Sequence, residues 1–214
     1  MDGLLLATER LCMELFEDAC RAHGIEPVRS LYYGCIGTRD DGTRRVIEAA
    51  YGPDFPYERV HAHWMRAYHD HVEHRPVDHR PGASEILALT RELGLPIALA
   101  TSTRTATARR KLELAGLADF FRIVIGGDQV THAKPHPEPY LTASAALGVR
   151  PSSCWAIEDS DNGVRAAHAA GTWVIQVPDL VEPSAEVRAF GHAVLPSLHE
   201  VADVLRVCTP ARRP

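Results

Sequence analysis

Residues 154–171, CWAIEDSDNGVRAAHAAG, constrain the fold more than any other stretch of the chain. An apolar run at 154–157 ends on two adjacent carboxylates, Glu158 and Asp159, and the spacing then becomes helical. Ser160 or Asp161 is placed to cap that helix, and Gly171 falls where a helix terminates. In an open parallel sheet, ligands collect beyond the carboxyl ends of the strands, which is where this acidic pair would lie. Such a pair suits a hard divalent cation: Mg2+ takes one or two protein carboxylates and leaves its other positions to water and phosphate oxygens. The same pair could equally do no more than cap the helix and complement its dipole.

The C-terminal two thirds repeats this strand-then-helix rhythm. Apolar runs at 96–100, 122–126, 172–177 and 193–196 alternate with helical patterns at 83–93, 105–117, 137–147 and 162–170. That alternation predicts an α/β fold with a parallel sheet covered on both faces. About the first eighty residues read differently. Helical spacing covers 8–23, with Thr8 as the expected cap and Leu11, Leu15, Ala19 and Ala22 on one face, then 42–50 and 57–74. Ahead of it, Asp2-Gly3 followed by three leucines looks like the exit from a strand.

Charge narrows the partners. A net charge of -5 and no basic block argue against nucleic acid or an anionic membrane surface. No apolar run reaches membrane-spanning length, and the first residues lack the basic start of a secretory signal. Five scattered cysteines without a CxxC spacing predict reduced thiols in a cytoplasmic protein, most of them acting as small buried hydrophobes. A monomer is expected.

Two further stretches fall at strand ends. IALATST, residues 97–103, puts the hydroxyls of Thr101 and Ser102 at a strand-to-helix junction, where hydroxyls and free N–H groups make an anion site; alternatively Ser102 or Thr103 is only the cap. Residues 132–139, HAKPHPEP, carry prolines at alternate positions, and Pro137 or Pro139 can open the next helix. Lys134, one of only two lysines in the chain, is thereby presented from a stiff turn as a point positive charge suited to a phosphate.

MDGLLLATE, IALATST, AKPHPEPY and WAIEDSDNGVRAAHAAG, in this order and at these separations, resemble the four motifs of the haloacid dehalogenase-like (HAD) hydrolases. The branch containing β-phosphoglucomutase and related sugar-phosphate phosphatases matches best, and the resemblance covers essentially the whole chain. It implies a Rossmann-like core at 1–6 and 81–208 with an all-helical cap at 7–80; residues 209–214 read as a frayed tail. It implies Mg2+-dependent phosphoryl transfer to and from an aspartate, on a small phosphorylated metabolite. By the resemblance, Asp2 is the general acid/base and offers its carbonyl to the metal. Thr101, with Ser102 beside it, holds the phosphoryl oxygens, Lys134 neutralises them, and Glu158 and Asp159 bind Mg2+. A phosphomutase and a catalytically silent ligand-binding relative are the alternatives.

The resemblance also places a nucleophilic aspartate two residues before Asp2, at the end of an apolar strand, and both positions fall ahead of Met1. Translation starting upstream, or a truncation, is the expected explanation. Ala7 stands where relatives carry an acidic residue, a loss that capping by Thr8 could offset. In the helical segment, Ile36-Gly37-Thr38-Arg39 resembles a loop that reaches into the site, so Arg39 is a candidate grip on a second anionic group. His61, His63, His69, His71 and His74 crowd one helix, but helical periodicity scatters them around it, and a solvated face is expected rather than a metal site.

Overall fold

The five apolar runs become five short strands in the computed structural model, which describes residues 1–38 and 40–208. They are β1 (Ala98–Ala100), β2 (Ile123–Ile125), β3 (Trp155–Glu158), β4 (Trp173–Gln176) and β5 (Ala193–Val194). The pairings among these five strands are parallel. β1 lies beside β2 with Ala100 opposite Ile125, β3 beside β4 with Glu158 opposite Gln176, and β4 beside β5 with Gln176 opposite Val194.

The helices in chain order are α1 (Thr8–Ala22), α2 (Arg29–Tyr32), α3 (Asp40–Tyr51), α4 (Tyr57–His74), α5 (Ala83–Glu92), α6 (Thr105–Leu114), α7 (Glu138–Leu147), α8 (Asp161–Ala169), α9 (Ala185–Arg188) and α10 (Leu198–Cys208). Side-chain alternation in β4 shows why helices cover both faces. Val174 packs with Ala156, Val164, Ala167 and Val187, whereas its neighbour Ile175 joins the larger cluster of Leu87, Leu99, Val124, Leu198 and Val201. A continuous apolar strand buried on both faces is what the sequence pattern requires.

Residues 8–74 carry a separate apolar cluster built on Phe16, Cys20, Ile47, Val60 and Trp64. Phe16 is almost wholly buried, with its ring centroid 5.1 Å from that of Trp64. Burying such a side chain contributes about 1.5–3 kcal/mol. The connections into and out of this segment run side by side: the Ala7 N–H donates to the Asp78 carbonyl at 2.8 Å and the Arg80 N–H to Leu5 at 2.8 Å. Arg80 also pairs with Asp179 just after β4, which fixes the exit strap to the sheet.

β1 and β3 face each other without hydrogen-bonding, so the strands form two sheets, β1–β2 and β3–β4–β5. Between them lies a cavity of about 410 Å³ whose lining includes Leu4, Leu5, Leu99, Tyr140, Ile157 and Leu198. Residues 1–6 do not run through it as a strand. They fold into a tight turn in which the Leu5 and Leu6 N–H groups donate to the Met1 carbonyl at 2.8 and 3.1 Å.

Several local expectations need correction. Thr8 does not cap α1: the cap position is Ala7, with no side-chain bond, and the Thr8 hydroxyl instead accepts from the Gly3 N–H at 3.1 Å. Nor do Ser102 or Thr103 cap α6, where the cap position is Arg104. The Asp128 carboxylate does that work from across the chain, accepting from the Thr105 N–H at 2.6 Å and its hydroxyl at 2.8 Å. Pro137 occupies the position that opens α7, and α2, α9 and α10 have no counterpart in the sequence reading. The cysteines are free thiols; Cys20 and Cys35 are buried, Cys12 and Cys154 half-buried and Cys208 exposed. Among the described residues no helix is long and apolar enough to cross a membrane.

Candidate active site

β3 delivers Glu158 to a buried position at its carboxyl end, and Ser160 caps α8 by accepting from the Gly163 N–H at 3.2 Å. Strand and helix are so close that a Cβ at Gly163 would overlap the Glu158 carboxylate, which is why the first turn of α8 carries a glycine. Glu158 Oε1 accepts from Lys134 Nζ and from the Tyr140 hydroxyl, and Ser160 Oγ donates to Oε2 at 3.4 Å. Lys134 Nζ donates in addition to the Ala100 carbonyl at 3.0 Å. It therefore ties the end of β1 to the end of β3 across the gap between the two sheets. Lys134 is a partnered cation, not the isolated point charge that its proline-rich turn suggests. Burial is the largest single influence and raises the pKa of Glu158, but the ammonium of Lys134, the chain's amino terminus and the hydrogen bonds from Lys134 and Tyr140 together lower it by more, and the carboxyl is held below its ordinary range.

A second network forms around Asp2. Its Oδ2 accepts from Thr103 Oγ1 at 2.7 Å and its Oδ1 from Lys111 Nζ at 2.8 Å. Lys111 is buried on the inner face of α6 and also donates to the Tyr68 hydroxyl at 2.8 Å, which brings α4 of the helical segment into the network. Burial is the largest single influence and pushes Asp2 up, but the charges of Lys111 and the chain's amino terminus together with the hydrogen bonds from Lys111 and Thr103 outweigh it, so Asp2 is held below the usual carboxylate range. For Lys111 burial lowers and Asp2 raises, with a net rise. Both groups are thus ionised at neutral pH.

Asp159 stands between the networks. Gly3, at φ +71°, leaves room for it, since a Cβ there would overlap Asp159 Oδ2. Burial and the adjacent Glu158 push its carboxyl up to about 7. The three acids share two lysines: Lys111 takes Asp2 and Lys134 takes Glu158, leaving Asp159 with no ion-pair partner among the described residues. An oxygen-only group with one surplus negative charge fits a hard divalent cation such as Mg2+ and does not favour a softer one.

At the end of β1, the Thr101 N–H donates to the Ile125 carbonyl at 2.9 Å, and its buried hydroxyl accepts from the Thr103 N–H at 3.2 Å. Ser102 is exposed beside it, its carbonyl packed against Gly127, where a Cβ would overlap it. Thr101 and Thr103 therefore stand next to the Asp2 network, while Arg39 lies outside the described residues. On the histidine-rich α4, His71 Nε2 lies 3.2 Å from the Pro76 carbonyl and His74 Nδ1 lies 2.9 Å from the Asp70 carbonyl. Sequence reasoning passed over Lys111, Tyr68 and Tyr140 and took Thr103 for no more than a cap. For Lys111 a signal existed: it sits beside Ala108 and Leu112 on the apolar stripe of its helix, where an unpaired lysine would not be tolerated.

A parallel sheet with acids and lysines converging at its strand ends, and a helical insertion contributing to the same network, defines a Rossmann-like hydrolase with an inserted helical segment. Residues 1–177 match the haloacid dehalogenase-like hydrolase family, and the chain belongs to it. It is 34% identical over 187 residues to hexitol phosphatase B of Escherichia coli (strain K12), covering 83% of this chain and 81% of that protein. To the phosphorylated carbohydrates phosphatase of Thermotoga maritima it is 31% identical over 175 residues, covering 80% and 79%. Among solved structures, a HAD family hydrolase from Deinococcus radiodurans R1 with bound phosphate and sodium superposes with a TM-score of 0.84 at 25% identity, covering 98% of this chain and 94% of that one.

Proposed function

We propose that the protein is a Mg2+-dependent phosphatase of a small phosphorylated metabolite, a sugar phosphate or a similar alcohol ester. The observation that carries this reading is the charge arrangement: three carboxylates at the strand ends, two matched by lysines and one, Asp159, without a counter-ion. Stabilising a transferring phosphoryl group is mostly positioning and charge neutralisation, which such a site supplies. The names of the relatives favour phosphate ester hydrolysis over the mutase reaction.

In this reading Asp159, with Glu158 and the Asp2 carbonyl, holds Mg2+, which when bound would neutralise charge on the phosphoryl oxygens. Thr101 and Ser102 donate to those oxygens, and Lys134 moves part of its charge from Glu158 to the phosphate. Asp2, once released from Lys111 and protonated from solvent, gives that proton to the departing alkoxide and later takes one from the water that cleaves the phosphoenzyme. The phosphoenzyme forms on the aspartate that the family resemblance places two residues ahead of Asp2. The helices of 7–80 act as a cap, with Arg39 as a grip on a second anionic group.

The deciding experiment is a screen of phosphorylated hexoses, hexitols and smaller alcohol esters, with Mg2+ or with EDTA, on a form extended by an apolar strand ending in that aspartate. Release of inorganic phosphate that requires Mg2+ is the expected outcome. A form that binds Mg2+ but hydrolyses no ester would overturn the reading.

A further inference from the structure

The loop that presents Lys134 carries three groups that the phosphatase reading does not use. One ligand atom from each of His132, His136 and Glu138 lies within 4.8 Å of the others. His132 Nδ1 is 2.9 Å and His136 Nδ1 is 4.0 Å from Glu138 Oε2, and the two imidazole centroids are 4.5 Å apart. A tetrahedral Zn2+ with metal–ligand bonds of roughly 2.0–2.2 Å separates its ligand atoms by about 3.3–3.5 Å, between the two distances observed. We propose that His132, His136 and Glu138 form a second cation site, selective for a borderline divalent ion of the Zn2+ type and distinct from the oxygen-only site at Asp159.

The cluster is built in advance. Glu138 is oriented by the backbone, its Oε1 accepting from the Thr131 N–H at 2.7 Å and its Oε2 from the His132 N–H at 2.9 Å. Those N–H groups and the His132 ring hold its carboxyl below the usual range, so it is ionised near neutrality. His136 Nδ1 accepts from the Glu138 N–H at 3.2 Å, which leaves that nitrogen unprotonated in the neutral ring, and a metal ion would take over the same lone pair. The His136 N–H donates to the Ala133 carbonyl at 3.0 Å, closing the turn between the two histidines. Prolines 135, 137 and 139 stiffen the eight residues 132–139 that carry the cluster. Both imidazoles are exposed, so the ion enters from solvent and keeps an open position for water or an exogenous ligand.

Chemistry separates the two sites. Imidazole nitrogens suit Zn2+ and are poor partners for Mg2+, whereas the Asp159 group offers only oxygens. An ion bridging His132 and His136 would clamp the turn on both sides of Lys134, so occupancy of one site would be felt at the other.

The test is calorimetric titration of the full chain with ZnCl2 in excess Mg2+, together with Co2+ substitution, whose visible absorption reports tetrahedral nitrogen and oxygen coordination. The expected result is one Zn2+ per chain. In the variant carrying His132→Asn and His136→Asn this binding is lost; outer partners of metal ligands alone are worth about 10–100-fold in affinity, and removing two ligands costs more. Both replaced side chains are exposed, so the fold, checked by circular dichroism, should persist. Unchanged Zn2+ affinity in the double variant, or loss of the Zn2+ signal only on Asp159→Asn, would overturn the proposal.

Discussion

Lys111 Nζ lies 2.8 Å from Asp2 Oδ1, a contact made across 109 residues of sequence, and each of the chain's two lysines thereby neutralises one acid of the site. For a proposed acid/base this pairing has a direction. It holds Asp2 in its basic form, ready to take a proton from water, and the group must be released from Lys111 before it can donate one. Lys111→Met should leave burial as the dominant influence and raise the Asp2 pKa above its ordinary value, which carbon-detected NMR of the Asp2 carboxyl reads directly. Stripping one partner from a buried pair should also cost about 3–5 kcal/mol in chemical denaturation. An Asp2 pKa unmoved by the substitution would mean that Lys111 does not set the state of the acid.

Asp159 has the opposite sign. Its native pKa, about 7, exceeds the ordinary 3.8, so between those values the native state keeps a proton that the unfolded chain has lost. The stability this group contributes is present at low pH and is lost as pH rises to 7, because the folded state must then hold a buried, unpaired charge. Asp159→Asn should therefore stabilise the metal-free protein at pH 8 by about 2–4 kcal/mol and leave it unchanged near pH 3. Added Mg2+ should reverse the order by stabilising the parent chain much more than the variant. Thermal melts at the two pH values, with and without Mg2+, decide the matter; equal Mg2+ stabilisation of both proteins would remove Asp159 from the metal site.

Gly163 tests whether the Glu158 carboxylate is as tightly held as the contacts imply. Glycine to alanine within a helix ordinarily stabilises by about 0.5–1 kcal/mol. Here the added methyl would overlap the Glu158 carboxylate, so Gly163→Ala should destabilise instead and weaken Mg2+ binding. Pairing it with Glu158→Ala should recover much of the stability but not the Mg2+ affinity. A stabilised single variant would show that Glu158 moves freely.

How legible this arrangement was in the sequence follows from the range over which each cause acts. The strands, and most helices, follow from local apolar periodicity, so the runs at 154–157 and 172–177 fold as β3 and β4 to within a residue or two. The acidic pair was visible because adjacency is a local property. The partners of Lys111, Tyr68 and Tyr140 were not, because they come from distant elements and only the packing of α4, α6 and α7 brings them in; Lys111 left no more than its place on an apolar stripe as a local sign. The caps failed for a related reason: Thr8 and Thr103 have the right residue type, but each hydroxyl is engaged elsewhere, on the Gly3 N–H and on Asp2.

Lys134 should matter to phosphate and to folding through separable contacts. Removing it takes one charge-assisted contact from a bound phosphate, about 1.5–3 kcal/mol, so Lys134→Ala should bind inorganic phosphate roughly 10-fold to 150-fold more weakly with Mg2+ present. The variant also leaves Glu158 buried against Tyr140 without a counter-ion and should lose stability. Adding Glu158→Gln should restore much of that stability while phosphate binding stays weak. Phosphate affinity that recovers along with stability would assign Lys134 a structural part only.

The gap between β1 and β3 carries the last prediction. Both strands leave a ladder edge facing an apolar cavity, and Lys134 crosses from the Ala100 carbonyl to Glu158. An extended apolar segment laid there, parallel to its neighbours, would satisfy both edges and bury its side chains against Leu99, Ile157 and Leu198. Its carboxyl end would arrive beside Asp2, Lys134 and Asp159. Asp2 itself is poorly placed to attack phosphorus, since both carboxylate oxygens are already taken, by Thr103 and by Lys111. A form carrying such a strand, ending in Asp at the position two residues ahead of Asp2, should melt at higher temperature and turn over phosphate esters far faster than the chain beginning at Met1. It should also trap an acid-stable phosphoenzyme that the same extension ending in Asn does not. Comparable turnover by all three, with no phosphoenzyme in any, would show that an activated water does the chemistry and that the aspartyl-phosphate route is wrong for this protein.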